Sequence, residues 1–129
     1  MKLEINIDDE QVAAVLDCAG SRYWCEELEF DDFEVRDGVA TCWDALLAGV
    51  ISKVVVVVGP EGGSTDLHPA TLERRSVTVE SIRRAFALMA FGDDKNPRVL
   101  GQCFSDHDFD AVTGDVLLQL SAFGEVIYG

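Results

Sequence analysis

The run "KVVVVV", Lys53–Val58, decides what kind of fold this chain adopts. Five successive β-branched residues favour extended backbone, and no polar residue alternates with them, so the run predicts a strand covered on both faces. Next comes "GPEGGSTDLHP" (59–69), whose glycines, prolines and short polar residues mark the plain loop of the chain. "RRSVTV" (74–79) then reads as a strand returning to pair with the valines. Upstream, "KLEINID" sets Leu3, Ile5 and Ile7 against Lys2, Glu4 and Asn6, the period of two that marks a half-buried strand. "RYWCEELEF" (22–30) places Trp24, Leu28 and Phe30 on one side. Glu26 falls on that side too, which predicts an edge, a bulge or a short strand.

Helical periods fill the rest. Asp8 or Asp9 caps a helix whose apolar stripe is Val12, Val15, Leu16 and Ala19, and Gly20 stops it. "RDG" (36–38) reads as a turn. Trp43, Leu46, Leu47, Val50 and Ile51 follow helical spacing, with Gly49 ending the regular part. Thr78 caps a helix that turns Val79, Ile82, Phe86 and Met89 inward and Arg83 and Arg84 to water. "GDDKNP" breaks the chain, and Pro97 starts a further helix through Val99, Leu100, Cys103 and Phe104. The last stretch, "DFDAVTGDVLLQLSAFGEVIYG", carries Val112, Val116, Leu117, Leu118, Leu120 and Phe123 on nearly every side of a helix. Such a helix belongs at the centre of a domain. The order β-α-β-α-β-β-α-α-α predicts one α+β domain over residues 1–129. Its short antiparallel or mixed sheet has three or four strands, packed by about five helices.

Composition narrows the class. A chain of 129 residues fits one domain, and 48% apolar residues suffice for a core. Net charge is −14, from 24 acids and 10 bases, which disfavours nucleic acid and anionic membrane as partners because phosphates need cations. The charge is uneven: residues 1–50 hold 13 acids and 3 bases, whereas the bases Arg74, Arg75, Arg83, Arg84, Lys95 and Arg98 gather in 71–98. The longest apolar run is far short of the roughly 18 residues a membrane span needs, and no secretory leader is evident. A cytoplasmic protein is expected, the host cytoplasm if the chain is phage-encoded. Cys18, Cys25, Cys42 and Cys103 are widely spaced and read as reduced core thiols.

Each chemical motif has a plainer explanation. "GPEGGST" follows a strand, where phosphate loops sit, yet it lacks the lysine and the spacing such a loop requires. Asp106, Asp108 and Asp110 occupy positions 1, 3 and 5 of a calcium loop, but Ala111 stands where glycine is needed and Leu117 where glutamate is needed. Capping of the last helix accounts for those acids. Cys103 and His107 are four apart and could share a helix face as zinc ligands, but no second close pair completes a site. No nucleophile motif accompanies them, so neither catalysis nor a cofactor or metal is expected; a Cys/His enzyme is the least favoured alternative.

The segment "TGDVLLQLSAFGEVIYG" (113–129) resembles the ending of a loose group of small acidic proteins from phages and prophages. The likeness rests on Thr113, Asp115, Val116, Leu118, Gln119, Phe123, Gly124, Glu125, Tyr128 and Gly129, with Tyr23–Trp24 as an early aromatic pair. It covers specifically the last 17 of the 129 residues. The resemblance implies a mobile-element origin and no activity. From the residues alone, Gly124 is a helix break, and Phe123 and Tyr128 fold the tail onto the core.

The stretch "WCEELEFDDFEVRD" (24–37) holds seven acids and one arginine. Residues i and i+2 of a strand lie about 6.6 Å apart on one face, and duplex DNA carries one phosphate per ~3.4 Å of rise on each strand. Glu27, Glu29 and Asp31 would form a row on such a strand, flanked by Glu26 and Asp32 and continued by Glu34 and Asp37. Phe33, without an evident core role, would add an apolar anchor. These eight residues are the expected partner-binding surface. The partner is a protein with a basic surface, such as a host nuclease or nucleic-acid-binding complex, inhibited by nucleic-acid mimicry as in anti-CRISPR or anti-restriction proteins. The alternative is a small structural or interaction module, homodimeric through its Trp and Phe residues, whose acidity serves solubility.

Overall fold

The structure, a computed structural model, describes residues 9–19, 24–59, 73–91 and 111–127. The strand expected at 2–8, the loop beyond Gly59, the helix after Pro97, the Cys103–His107 pair, Asp106, Asp108, Asp110 and Tyr128 lie outside the described residues. Within them the order is α1 (Asp9–Asp17), β1 (Cys25–Glu29), α2 (Cys42–Leu47), β2 (Val54–Val58), β3 (Glu73–Val77), α3 (Val79–Phe91) and α4 (Ala111–Phe123). The architecture is α+β, with a three-stranded antiparallel sheet in the order β1-β2-β3 and four helices among the described residues.

The valine run is the middle strand. Val54, Val56, Val57 and Val58 are buried and Val55 half-buried, so both faces are largely covered. β3 pairs with β2 in unbroken register, Val54 opposite Val77 through Val58 opposite Glu73, as the sequence predicts for "RRSVTV". On the other side Cys25 faces Val58 while Glu27 faces Val57, and Glu26 is the extra residue of a bulge. The misplaced glutamate thus marks the irregularity that its position in the alternation implies. The face bearing Leu28, Val54, Val56 and Val77 turns to the helices and joins the core.

Local chemistry sets the helix ends. Thr41 Oγ1 accepts from the Asp44 N–H at 3.1 Å while Asp44 Oδ2 accepts from the Thr41 N–H at 3.0 Å, a reciprocal cap on α2. At the other end Gly49 takes φ +77°, and the N–H groups of Gly49 and Val50 donate to Leu46 and Ala45 carbonyls. That closure needs a left-handed residue, which glycine adopts without steric cost. Thr78 and Ser81 cap α3 in the same reciprocal way, and Arg83 and Arg84 face water as expected.

α4 packs against α1, α3 and β3, the central position its composition implies. Leu117, Leu118 and Leu120 are buried, but Val112 is 67% exposed and Val116, one turn on, only half-buried, so that side of α4 faces outward. Gly114 lets α1 come close: a Cβ there would overlap the Val15 carbonyl oxygen and lie 2.8 Å from the Ala19 Cα. Trp24 and Trp43 are both nearly fully buried, and each contributes several kcal/mol of apolar burial.

Candidate functional site

Two polar constructions stand out, one inside and one outside. The inner one joins β1, α4 and the C-terminal tail. The Trp24 Nε1–H donates to Asp115 Oδ1 at 2.7 Å, and the Gln119 Nε2–H donates to Asp115 Oδ2 at 2.9 Å. The Ile127 N–H then donates to Gln119 Oε1 at 2.9 Å, which fixes which end of the amide meets the carboxylate. Phe123 closes the cluster, its ring tilted at 5.4 Å from Trp24 and capped by the Arg75 guanidinium at 5.7 Å. Gly124, at φ +77°, ends α4 and turns the tail back, as its place after Phe123 implies. Asp115, Gln119 and Phe123 therefore join in one interior clasp with Trp24. Sequence reading passed over this network, although Asp115 and Gln119, four apart in an otherwise apolar helix, signal buried groups needing partners.

The outer construction is the acidic stretch. Glu26 and Glu27 are exposed on β1, and Asp31, Asp32, Glu34 and Asp37 are exposed in the connection to α2. Glu29 differs. The Arg74 Nε–H donates to Glu29 Oε1 at 2.8 Å across the middle strand, on the face that carries Val55 and Val57. That hydrogen bond holds the Glu29 carboxyl below its usual range. Its charge is directed at β3 rather than outward, which revises the expected row. Asp31 also leaves it, because β1 ends at Glu29 and the alternation stops there.

Both phenylalanines change role. Phe30, expected inside, is 44% exposed, since Glu29 pairs with Val55 one residue from the start of β2 and little sheet remains to hold the next side chain. Phe33, expected without a core partner, is half-buried against the core, and its ring lies 5.8 Å from that of Phe30. The pair puts an exposed aromatic, braced from below, amid the acids. The expected turn forms at Asp37–Gly38, where Arg36 and Val39 exchange backbone hydrogen bonds.

A cleft of about 250 Å³ opens beside β1, lined by Leu16, Asp17, Cys25, Glu27, Leu28 and Trp43 among others. A second, of about 390 Å³, lies between the start of α1, the chain at Gly38 and Ala40, and α2, with Asp9, Glu10 and Asp44 on its walls. No cluster of three or more His, Cys, Asp or Glu side chains among the described residues could hold a metal ion, and no helix among them is long and apolar enough to cross a membrane.

The thiols differ from the uniform core set that sequence implies. Cys42 is buried and Cys25 half-buried, but Cys18 is exposed at the end of α1. Burial, aided by nearby carboxylates, pushes the Cys25 and Cys42 thiols from the ordinary 9.0 up to about 11. At pH 8 Cys25 and Cys42 should hold on the order of a hundredfold less reactive thiolate than an ordinary thiol, so a maleimide should modify them more slowly than exposed Cys18, read by peptide mass spectrometry. The same shifts mean that unfolded thiols ionise before folded ones, so stability should fall as pH rises from about 9 towards 11.

Compared with known proteins, the chain matches no family model, no curated protein and no solved structure.

Proposed function

We propose that this chain is a non-enzymatic acidic binding protein that occupies the basic nucleic-acid site of a host defence complex, as phage anti-restriction or anti-CRISPR inhibitors do. The observation that carries the reading is one segment, 26–37, in which exposed carboxylates flank an exposed aromatic along the chain. Glu26, Glu27, Asp31, Asp32, Glu34 and Asp37 supply the charge, and Phe30, braced by Phe33, supplies the apolar anchor. Glu29 serves by holding β1 to β3 through Arg74. Net charge of −14 adds long-range attraction to a basic cleft, giving fast, salt-sensitive association. The resemblance of 113–129 to phage and prophage proteins supports the same reading.

Capture from a host lysate at low and high salt, followed by displacement with DNA or RNA, tests it. A captured complex should be released by nucleic acid and by salt. Changing Asp31, Asp32 and Glu34 together to lysine should weaken capture about tenfold or more while leaving the unfolding midpoint unchanged, since all three are exposed. Capture that ignores both salt and the triple reversal would remove the proposal.

A further inference from the structure

Of the two sheet edges among the described residues, β1 is shielded and β3 is open. Glu73, Arg74, Arg75 and Ser76 are four successive exposed residues, and β3 meets β2 in unbroken register. We propose that this edge pairs with β3 of a second copy of the chain, antiparallel across a two-fold axis, so that two three-stranded sheets join into one of six strands. The inference goes beyond the acidic segment and holds whatever that segment binds.

Backbone, charge and position each point to a second copy. The Gly59 N–H donates to the Trp24 carbonyl at 2.8 Å, so Gly59, Val57 and Val55 turn their backbone groups to β1, and Val54, Val56 and Val58 turn theirs to β3. The opposite residues Val77, Arg75 and Glu73 answer them, which aims the N–H and C=O of Arg74 and Ser76 away from β2. The β1 edge carries the bulge at Glu26 and three glutamates, features that keep a like strand away. On β3 the charges cancel: the Arg75 Nε–H donates to Glu73 Oε1 at 2.6 Å, and Arg74 pairs with Glu29. A net charge of −14 makes two copies repel, and β3 lies in the stretch 71–98 where the bases gather, the approach of least repulsion. With Arg74 on the two-fold axis, Glu73 of each copy stands opposite Arg75 of the other, giving two reciprocal pairs of opposite charge. A strand of uniform charge would meet its own sign at Glu73 or at Arg75, whereas a second copy matches both. Trp24 and Trp43, at 1% and 2% exposure, offer a second copy no surface, which removes the pairing through tryptophans that the sequence suggests. Joined through β3, the two β1 strands lie about 24 Å apart, at five strand spacings of about 4.8 Å, so one dimer presents two acidic edges.

Sedimentation of the full chain from micromolar to near-millimolar concentration tests the pairing, with dimer expected to grow as concentration rises. Glu73→Arg and Arg75→Glu should each weaken the dimer about tenfold or more, because each sets like charges opposite one another at both pairs. Mixed in equal amounts, the two variants should dimerise again, since every arginine then faces a glutamate across the axis. The internal Glu73–Arg75 pair cannot supply that recovery, because both variants lose it. Ser76→Pro removes an outward N–H and should give a monomer with an unchanged unfolding midpoint. A wild-type chain that stays monomeric over the whole range overturns the proposal, as does a dimer that survives Ser76→Pro or a pair of charge variants that fails to associate on mixing.

Discussion

Asp115→Ala is expected to lower the free energy of unfolding by about 3–4 kcal/mol, measured as a shift of the urea midpoint at constant slope. The carboxylate accepts from the Trp24 indole at 2.7 Å and from the Gln119 amide at 2.9 Å. Both donors are buried, with Trp24 at 1% exposure and Gln119 at 0%. Each buried donor left without an acceptor costs roughly 1–3 kcal/mol, well above the ~1 kcal/mol net worth of an ordinary hydrogen bond. Rotation of the Gln119 amide offers no escape, because its oxygen is committed to the Ile127 N–H. Asp115→Leu should therefore be nearly as damaging as Asp115→Ala, although it restores apolar volume. Pairing Asp115→Leu with Trp24→Phe should recover part of the loss by removing one orphaned donor, a coupling that a double-mutant cycle reads directly. Against a typical domain stability of about 5–15 kcal/mol, the single change consumes a large share. An unchanged midpoint for Asp115→Ala would show that the clasp does not hold the tail and β1 to α4.

Gly114→Ala should destabilise by about 3 kcal/mol or more, lowering Tm by roughly 10–15 °C in a calorimetric scan. Helix propensity alone predicts the opposite sign, because alanine is favoured over glycine by about 1 kcal/mol in a helix interior. Packing reverses it. The new Cβ would overlap the Val15 carbonyl oxygen and sit 2.8 Å from both the Cα and the N of Ala19. These are backbone atoms of α1 and its end, so no rotamer change relieves the clash and the whole helix must move off α4. The pair of tests is informative because the sign itself decides: a stabilised Gly114→Ala protein would mean that α1 does not cross α4 at this point.

Much of the scaffold was legible in the residues. The valine run is a buried middle strand, "RRSV" pairs with it, and Glu26 forms the bulge its position implied. Thr78, Gly49 and Gly124 act where their backbone preferences put them. All of these rest on the backbone preferences of adjacent residues or on periods of two and 3.6, which a linear sequence carries. The errors cluster where the outcome depends on where a neighbouring element stops. Phe30 looks inward by alternation but lies where β1 has run out of partner strand, and Phe33 looks idle until the connection to α2 is seen returning it to the core. Cys18 was grouped with buried thiols although it falls at the open end of α1.

The acidity of 24–37, the α+β class and the central position of the last helix follow from the sequence by itself, because composition and period are local properties. Only the tertiary structure decided that Asp115 serves Trp24, 91 positions away, and that Glu29 answers to Arg74, 45 positions away. It also decided that Asp17 and Glu27 line one cleft together with Leu16 and Trp43. Such pairings depend on strand register and on the close approach of α1 and α4, which a glycine with no Cβ permits. No local preference specifies which distant side chain will be waiting there.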